Sequence, residues 1–350
     1  MALQESQILD LINFSLPELD KGDLIQAAQG LPEYVAFNKL MRDNRVTIAS
    51  GNSWKTRVMV SLSNQARWVG LSSVDNVNTA DLSKEMVVQW AHNQVPATWE
   101  VRELMEASGA AELADLGKER TVDAITCLAD ITETAFWGRP SGPSDNLVIQ
   151  GVPTWITYSA TEGFNGGNAT GFTSSGYKGG IDANTYTTFK NYTGQYVDVT
   201  ETDLVQKIRN AVRKCNFIPA VGAEYGAPGK PDRGFYTNNT VYGALEVFLD
   251  ARNENLGTDI LGMKPMLGRI PLTYVPKLDD NLWYTDPFYG IDWNHFQVGF
   301  LKGDFMRKTG PFQAPLQHNN RVVYWDNSMA VRCRNPRTSF MFAKSAVNTN

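Results

Sequence analysis

Arg45-Val-Thr-Ile-Ala-Ser-Gly-Asn-Ser-Trp-Lys-Thr-Arg-Val-Met-Val-Ser-Leu62 opens the stretch, residues 44–138, on which the reading of this chain turns. From Trp54 the segment has a period of two. Trp54, Thr56, Val58, Val60 and Leu62 share one face, and Lys55, Arg57, Met59 and Ser61 share the other. Alternate side chains of a strand point to opposite faces, so this reads as a half-buried strand. A return segment, 83–102, carries the same pattern, with Ala97, Trp99 and Val101 alternating with Thr98, Glu100 and Arg102. Between the two, residues 72–81 are rich in Ser, Asn, Asp and Thr, which is turn chemistry. Two long strands alone are marginal in water, and their free edges invite pairing. The hairpin therefore either packs on its own domain or projects onto a neighbouring subunit, and the residues leave both readings open.

A long helix is predicted directly afterwards, over 110–137. The run contains no proline and one glycine, and Gly138, Pro140, Gly142 and Pro143 stop it. Its expected apolar stripe is Leu113, Val122, Ile125, Leu128, Ala129, Thr132 and Phe136, with Asp130 and Glu133 among the polar surface residues. At 1.5 Å per residue the helix spans roughly 40 Å.

Ahead of the hairpin, residues 1–43 hold short amphipathic pieces (8–14, 24–28 and 34–41) separated by Pro17, Gly30 and Pro32, and read as an arm that docks elsewhere. Beyond the helix, 161–180 is glycine-rich but lacks the Gly-Lys-Ser/Thr ending of a phosphate loop, and reads as a long surface loop. Thr200 and Asp203 suggest a capping box for a helix through Lys214. A strand is expected over 216–221 and a third helix over 241–253, with Leu245, Phe248 and Leu249 facing inward. Strand-like runs at 321–326, 328–334 and 339–343 should close a sheet.

Composition excludes several classes. A net charge of −5 gives no basic footprint of a nucleic-acid reader. No apolar run is long enough to span a membrane, and the first residues lack the pattern of a secretory signal. Cys127, Cys215 and Cys333 are too far apart for a metal site or a disulfide framework, which points to a reducing cytoplasm. His92, His295 and His318 stand alone, so no zinc or other cofactor is expected. The best enzyme-like or sugar-binding feature is the aromatic and acidic run 278–293, with Asp279, Asp280 and Asp286 among Trp283, Tyr284, Phe288, Tyr289 and Trp293. An aromatic loop packed in a domain or a subunit interface accounts for it more simply. Arg332, Arg334, Arg337 and Lys344 form a basic cluster that could face phosphate or make surface ion pairs.

The order of elements resembles the major capsid proteins of tailed bacteriophages, which have the Hong Kong 97-type fold. The resemblance lies in the arm, the long hairpin, the return through Ser83-Lys-Glu-Met-Val-Val-Gln-Trp-Ala-His92 into Ala97-Thr-Trp-Glu-Val-Arg-Glu-Leu104, and the helix ending in Ala-Phe-Trp-Gly138. Leu147-Val-Ile-Gln-Gly-Val-Pro153, Tyr177-Lys-Gly-Gly-Ile-Asp-Ala-Asn-Thr-Tyr186 and the run from Met329 to Ala343 are also similar to that family.

The resemblance implies an α+β fold. Its parts would be an N-terminal arm (1–43), an extended hairpin or E-loop with its base (44–104), a peripheral P domain with the spine helix and the glycine-rich loop (105–199), a mainly axial A domain (200–320) and closing P-domain strands (321–350). It implies a non-enzymatic protein that self-assembles as pentamers and hexamers into an icosahedral head around double-stranded DNA, made in the host cytoplasm and residing in the virion. Trp54, Arg57, Val58, Val60, Trp68 and Trp90 would then lie at the subunit interface, with Arg57 near partner carboxylates. A separate scaffolding protein and a portal are implied partners, with a decoration protein possible and no membrane involved. Some members cross-link lysine to asparagine. Lys55 and Lys84 lie in the hairpin, but no partner is identified and no cross-link is expected. An encapsulin-like compartment, and a carbohydrate-active enzyme or lectin built on 278–293, are the alternatives.

Overall fold

The computed structural model describes residues 34–41, 45–61, 66–71, 82–102, 110–142, 145–172, 178–217, 232–250, 266–267, 270–280, 283–314 and 317–346. The arm pieces 8–14 and 24–28, the hairpin tip 72–81 and residues 218–221 of the strand expected over 216–221 lie outside these.

Helix α1 (Val35–Leu40) precedes β1 (Val46–Ala49) and the hairpin strands β2 (Ser53–Met59) and β3 (Ser83–Gln89). The return run does not continue as one strand. It breaks at Trp90, and β4 (Ala91–Glu100) leaves the hairpin for a different sheet. Helix α2 (Ala110–Trp137) has the predicted bounds. Its inward row is Thr121, Ala124, Ile125, Leu128, Ala129, Thr132, Glu133 and Phe136, the three-and-four spacing of one helical face. Val122, expected in that row, is 45% exposed. It sits one position, about 100°, around the helix from Thr121.

A one-turn helix, α3 (Val152–Trp155), follows α2, and then β5 (Gly163–Gly166) and β6 (Asn191–Gln195). The glycine-rich segment is thus only partly surface loop, since Lys178 near its end is buried. A π-helical turn at Glu201–Val205 leads into α4 (Gln206–Lys214). Thr200 makes no side-chain cap there. Asp203 reaches back instead, accepting from the N–H groups of Val197 and Asp198 at 2.7 and 3.0 Å. After β7 (Arg233–Thr237) comes α5 (Asn239–Asp250), which buries Leu245 and half-buries Phe248. The remaining strands are β8 (Met266–Leu267), β9 (Ile270–Tyr274), β10 (Tyr284–Thr285), β11 (Phe288–Asp292), β12 (Phe296–Leu301), β13 (Arg307–Ala314), β14 (Gln317–Cys333), β15 (Phe340–Ala343) and β16 (Ser345–Ala346).

Two sheets organise the chain. The first runs β1-β12-β14-β13, with β4 also paired to the long β14, and α2 lies on it through Ala124 and Leu128 against Val95, Trp99 and Val323. The second runs β5-β6-β15-β11-β7-β9-β8. Its central strands are buried on both faces. Phe235, Phe288, Phe340 and Phe342 meet α4 and α5, while Tyr236, Tyr289, Ile291 and Met341 point into the core shared with α1, α2 and the hairpin base. β5, β6 and β15 join the second sheet, and β12 and β13 join the first.

Candidate assembly surface

The hairpin has two ends with opposite character. At its base β2 and β3 pair antiparallel, Trp54 opposite Val88 and Val58 opposite Lys84. Trp54 stacks near Trp90, with ring centroids 6.3 Å apart and 15° between planes. Trp90 Nε1 donates to the carbonyl of Gly51 at 2.9 Å. Below the Trp54 ring runs the bare backbone of Gly299, where a Cβ would approach the ring to 2.7 Å. On the ring lies the Arg332 guanidinium, 3.6 Å from the centroid, fixed by two hydrogen bonds to Gln297 Oε1 at 2.7 and 3.1 Å. Burial pulls the pKa of Arg332 down to about 10, which leaves it charged at neutral pH.

Of the residues expected at the interface, Trp54, Val60 and Trp90 are packed within their own chain, at 4%, 2% and 7% exposure. The basic cluster is also dispersed. Arg332 is the lid on Trp54, Arg337 stacks on Phe164 at 3.9 Å, and Lys344 pairs with Asp286 at 2.8 Å.

Toward the outer end the balance reverses. Val58 is half-buried, while Lys55, Arg57 and Met59 face outward as their alternation predicts. Lys55 pairs loosely with Glu85 across the ladder, at 3.6 Å. Further out, Trp68 is 100% exposed, Leu71 105% and Val69 60%. These are large apolar side chains, exposed and close together in the connection between β2 and β3, the kind of patch that suits an interaction surface.

The start of the described chain is fixed by a residue the sequence disguises. Glu133 reads as one more charge on a charged helix, yet it is fully buried. Its Oε1 accepts from the N–H of Ala36 at 2.9 Å and from Trp137 Nε1 at 2.8 Å, and its Oε2 accepts from the N–H of Phe37 at 2.6 Å. The carboxylate thus satisfies first-turn N–H groups of α1, where negative charge is also favoured. Burial raises its pKa, against the hydrogen bonds that lower it. Nearby, Asp232 binds Lys39 at 2.9 Å and Arg45 at 2.8 Å. No local signal could reveal the pairs from Glu133 to α1 or from Asp232, because the partners are 96 or more positions apart.

The enzyme-like features resolve differently. Tyr284, Phe288, Tyr289 and Trp293 are core side chains rather than an open platform. Asp286 is engaged by Lys344 and Asn238, and Asp279 accepts from the N–H of Asn239 at 2.8 Å at the start of α5. His92 Nδ1 lies 2.5 Å from Ser328 Oγ, and the Ser328 hydroxyl donates to Asp304. In a nucleophilic triad the histidine stands between serine and carboxylate. Here a fully buried serine stands between them, which suits a structural link from β4 to the turn after β12.

Comparison with solved structures decides what this architecture is. The chain aligns over 90% of its length with 93% of a chain from the cyanophage A-1(L) capsid asymmetric unit, at a TM-score of 0.62 and 11% identity. The chain has a capsid fold. The same fold aligns with the capsid of a native GTA particle at a TM-score of 0.55 and 16% identity, covering 86% of this chain and 88% of that one. It also aligns with a chain of the satellite phage P4 procapsid that includes size determination (Sid) protein, at 0.50 and 13%, covering 93% and 90%. No family and no curated protein matches the chain by sequence. The α+β architecture of hairpin, spine helix and two sheets is therefore the Hong Kong 97-type capsid fold.

Proposed function

We propose that this chain is the major capsid protein of a tailed phage, assembling as pentamers and hexamers into an icosahedral head around double-stranded DNA. The observation that carries the reading is the capsid fold combined with the bare apolar end of the hairpin at Trp68, Val69 and Leu71. In a shell that end lies on an adjacent subunit, with Arg57 directed at its carboxylates, and many weak repeated contacts sum to a stable lattice. The interface set is accordingly Arg57, Val58 and Trp68, with Met59, Val69 and Leu71 added. A separate scaffolding protein and a portal complete the head. The protein resides in the virion after assembly in the host cytoplasm.

Negative-stain electron microscopy with light scattering on the purified chain, alone and with a phage scaffolding protein supplied, tests this. Shells, tubes, sheets or capsomer rings are the expected products. A chain that stays monomeric under both conditions refutes it.

A further inference from the structure

Lys178 is a buried charge without an opposite charge beside it. Its side chain is closed from solvent, and among the described residues it makes no ion pair. Its Nζ instead donates to the carbonyl of Gly166 at 3.0 Å and to Asn191 Oδ1 at 3.1 Å. An ammonium offers three donors and an amine two, so these two acceptors match the neutral amine and leave its lone pair over. Desolvation pulls the pKa down to about 7, so the neutral form is plentiful at neutral pH.

The carboxamide opposite is held as firmly. Asn191 is fully buried. Its Nδ2 donates to the carbonyls of Thr157 and Tyr192 at 2.9 and 3.1 Å, which orients the amide. Its Oδ1 accepts from the N–H of Thr157 at 2.9 Å and lies 3.3 Å from the Thr157 hydroxyl, which also donates to the carbonyl of Gly167 at 2.7 Å. A fixed N–H aimed at a carbonyl oxygen stabilises negative charge that develops there. Cγ is one C=O bond, about 1.23 Å, from Oδ1, so it lies within roughly 4.3 Å of Lys178 Nζ. Neither group has room to turn away. Gly179, beside the lysine, has a φ of +58°, and a Cβ there would meet Met86 of β3 at 2.5 Å and the Trp155 ring at 2.9 Å. The backbone of Gly166 presses on the carboxamide, where a Cβ would overlap Oδ1.

We propose that Lys178 and Asn191 close an amide bond within the folded chain. The Nζ lone pair bonds to Cγ, and the carbonyl electron pair moves onto Oδ1, where the Thr157 N–H holds it. When that pair returns, the Cγ–Nδ2 bond breaks, a proton passes from Nζ to Nδ2, and ammonia leaves. Nothing is oxidised or reduced, and no co-reactant enters. Fixed juxtaposition of amine and amide, with bulk water shut out, supplies what the same reaction between free molecules lacks. The freshly folded chain carries the free, titrating amine, and closure follows with time. The bond joins residues 13 positions apart in one chain and ties the turn under β3 to β6, whether or not the chain builds a shell.

Intact-mass spectrometry of the full chain, freshly folded and after incubation at mildly alkaline pH, tests this. The mass should fall by about 17 Da as ammonia is released. Trypsin should then yield a branched product in which 121–190, uncut at Lys178, is joined to 191–207. Lys178→Arg should keep the full mass, because a guanidinium stays protonated. An incubated parent chain of full mass, or one that trypsin cuts at Lys178 into unlinked peptides, overturns the proposal without any variant. The same mass loss in Lys178→Arg would mark an asparagine closing on its own backbone and overturn it equally. None of these readouts involves assembly, so a failure here leaves the capsid reading standing.

Discussion

Replacing Glu133 by alanine is the sharpest probe of how the start of the described chain is held. The change strips the acceptor from three N–H groups, those of Ala36, Phe37 and the Trp137 indole. At about 1–2 kcal/mol for each stranded donor, the gross loss is roughly 3–6 kcal/mol. Two effects limit it. Burial has raised the carboxyl pKa, so removing the charge returns part of its desolvation cost. Helix α1 can also lift away and rehydrate its N–H groups, at the expense of burying Phe37 and Leu40, each worth roughly 1.5–3 kcal/mol. The expected net loss is about 3 kcal/mol.

Glu133→Gln should cost less, about 1–2 kcal/mol, because one oxygen can still accept from Ala36 and Trp137 while only Phe37 loses its partner. The pH dependence follows from the raised pKa. The folded state holds this proton more tightly than the unfolded one, so the contribution of Glu133 falls as pH climbs from its ordinary 4.5 through the raised value. Gln removes that slope. Denaturant unfolding across pH, with hydrogen exchange read at 35–41, measures all three effects. An alanine variant within about 0.5 kcal/mol of the parent, or a glutamine variant no better than alanine, would refute the capping role.

Trp68→Ala with Leu71→Ala should leave the stability of the single subunit within about 0.5 kcal/mol yet abolish assembled particles in electron micrographs, since both side chains are bare. Trp54→Ala should instead cost roughly 3–5 kcal/mol in unfolding experiments, because that ring is packed in its own core. Gly151→Ala should lower thermal stability by about 3 kcal/mol, as a Cβ there would meet the backbone oxygens of Gly138, Ala135 and Phe136 at 2.3, 2.4 and 2.6 Å; an unchanged melting temperature would contradict that packing. Lys178 is buried, and desolvation pulls its pKa down to about 7. Its unfolded form binds more protons above that value, so stability should rise with pH between about 7 and 10, and Lys178→Met should flatten the rise in alkaline denaturation curves.

Much of the architecture was legible because local chemistry enforces it. The bounds of α2 follow from an uninterrupted run ended by Gly138 and Pro140, and the faces of β2 follow from its alternation. The break at Trp90 was not legible. Both halves of the return run alternate, and only pairing with residues more than two hundred positions away separates β3 from β4. The packing of the hairpin was half legible for the same reason. Periodicity identified Trp54, Val58 and Val60 as the apolar face, but could not say that Gly299 and Arg332 already enclose Trp54. Trp68 stands outside any alternation, and its exposure emerges only in three dimensions. Glu133 was hidden by its setting, since a carboxylate in a helix dense with charge looks like solvent-facing surface.

The passage of one strand from hairpin to sheet has a mechanical consequence. β3 turns at Trp90 straight into β4, which is laddered to β14 along its whole length, from Ala91 opposite Met329 to Glu100 opposite Asn320. A tug on the hairpin therefore arrives along the axis of β4 and strains its hydrogen bonds side by side rather than one after another. Zippers fail rung by rung; a ladder sheared lengthwise must give way all at once. A load applied to the hairpin is carried into the ladder between β4 and β14, so the hairpin is built as a tether.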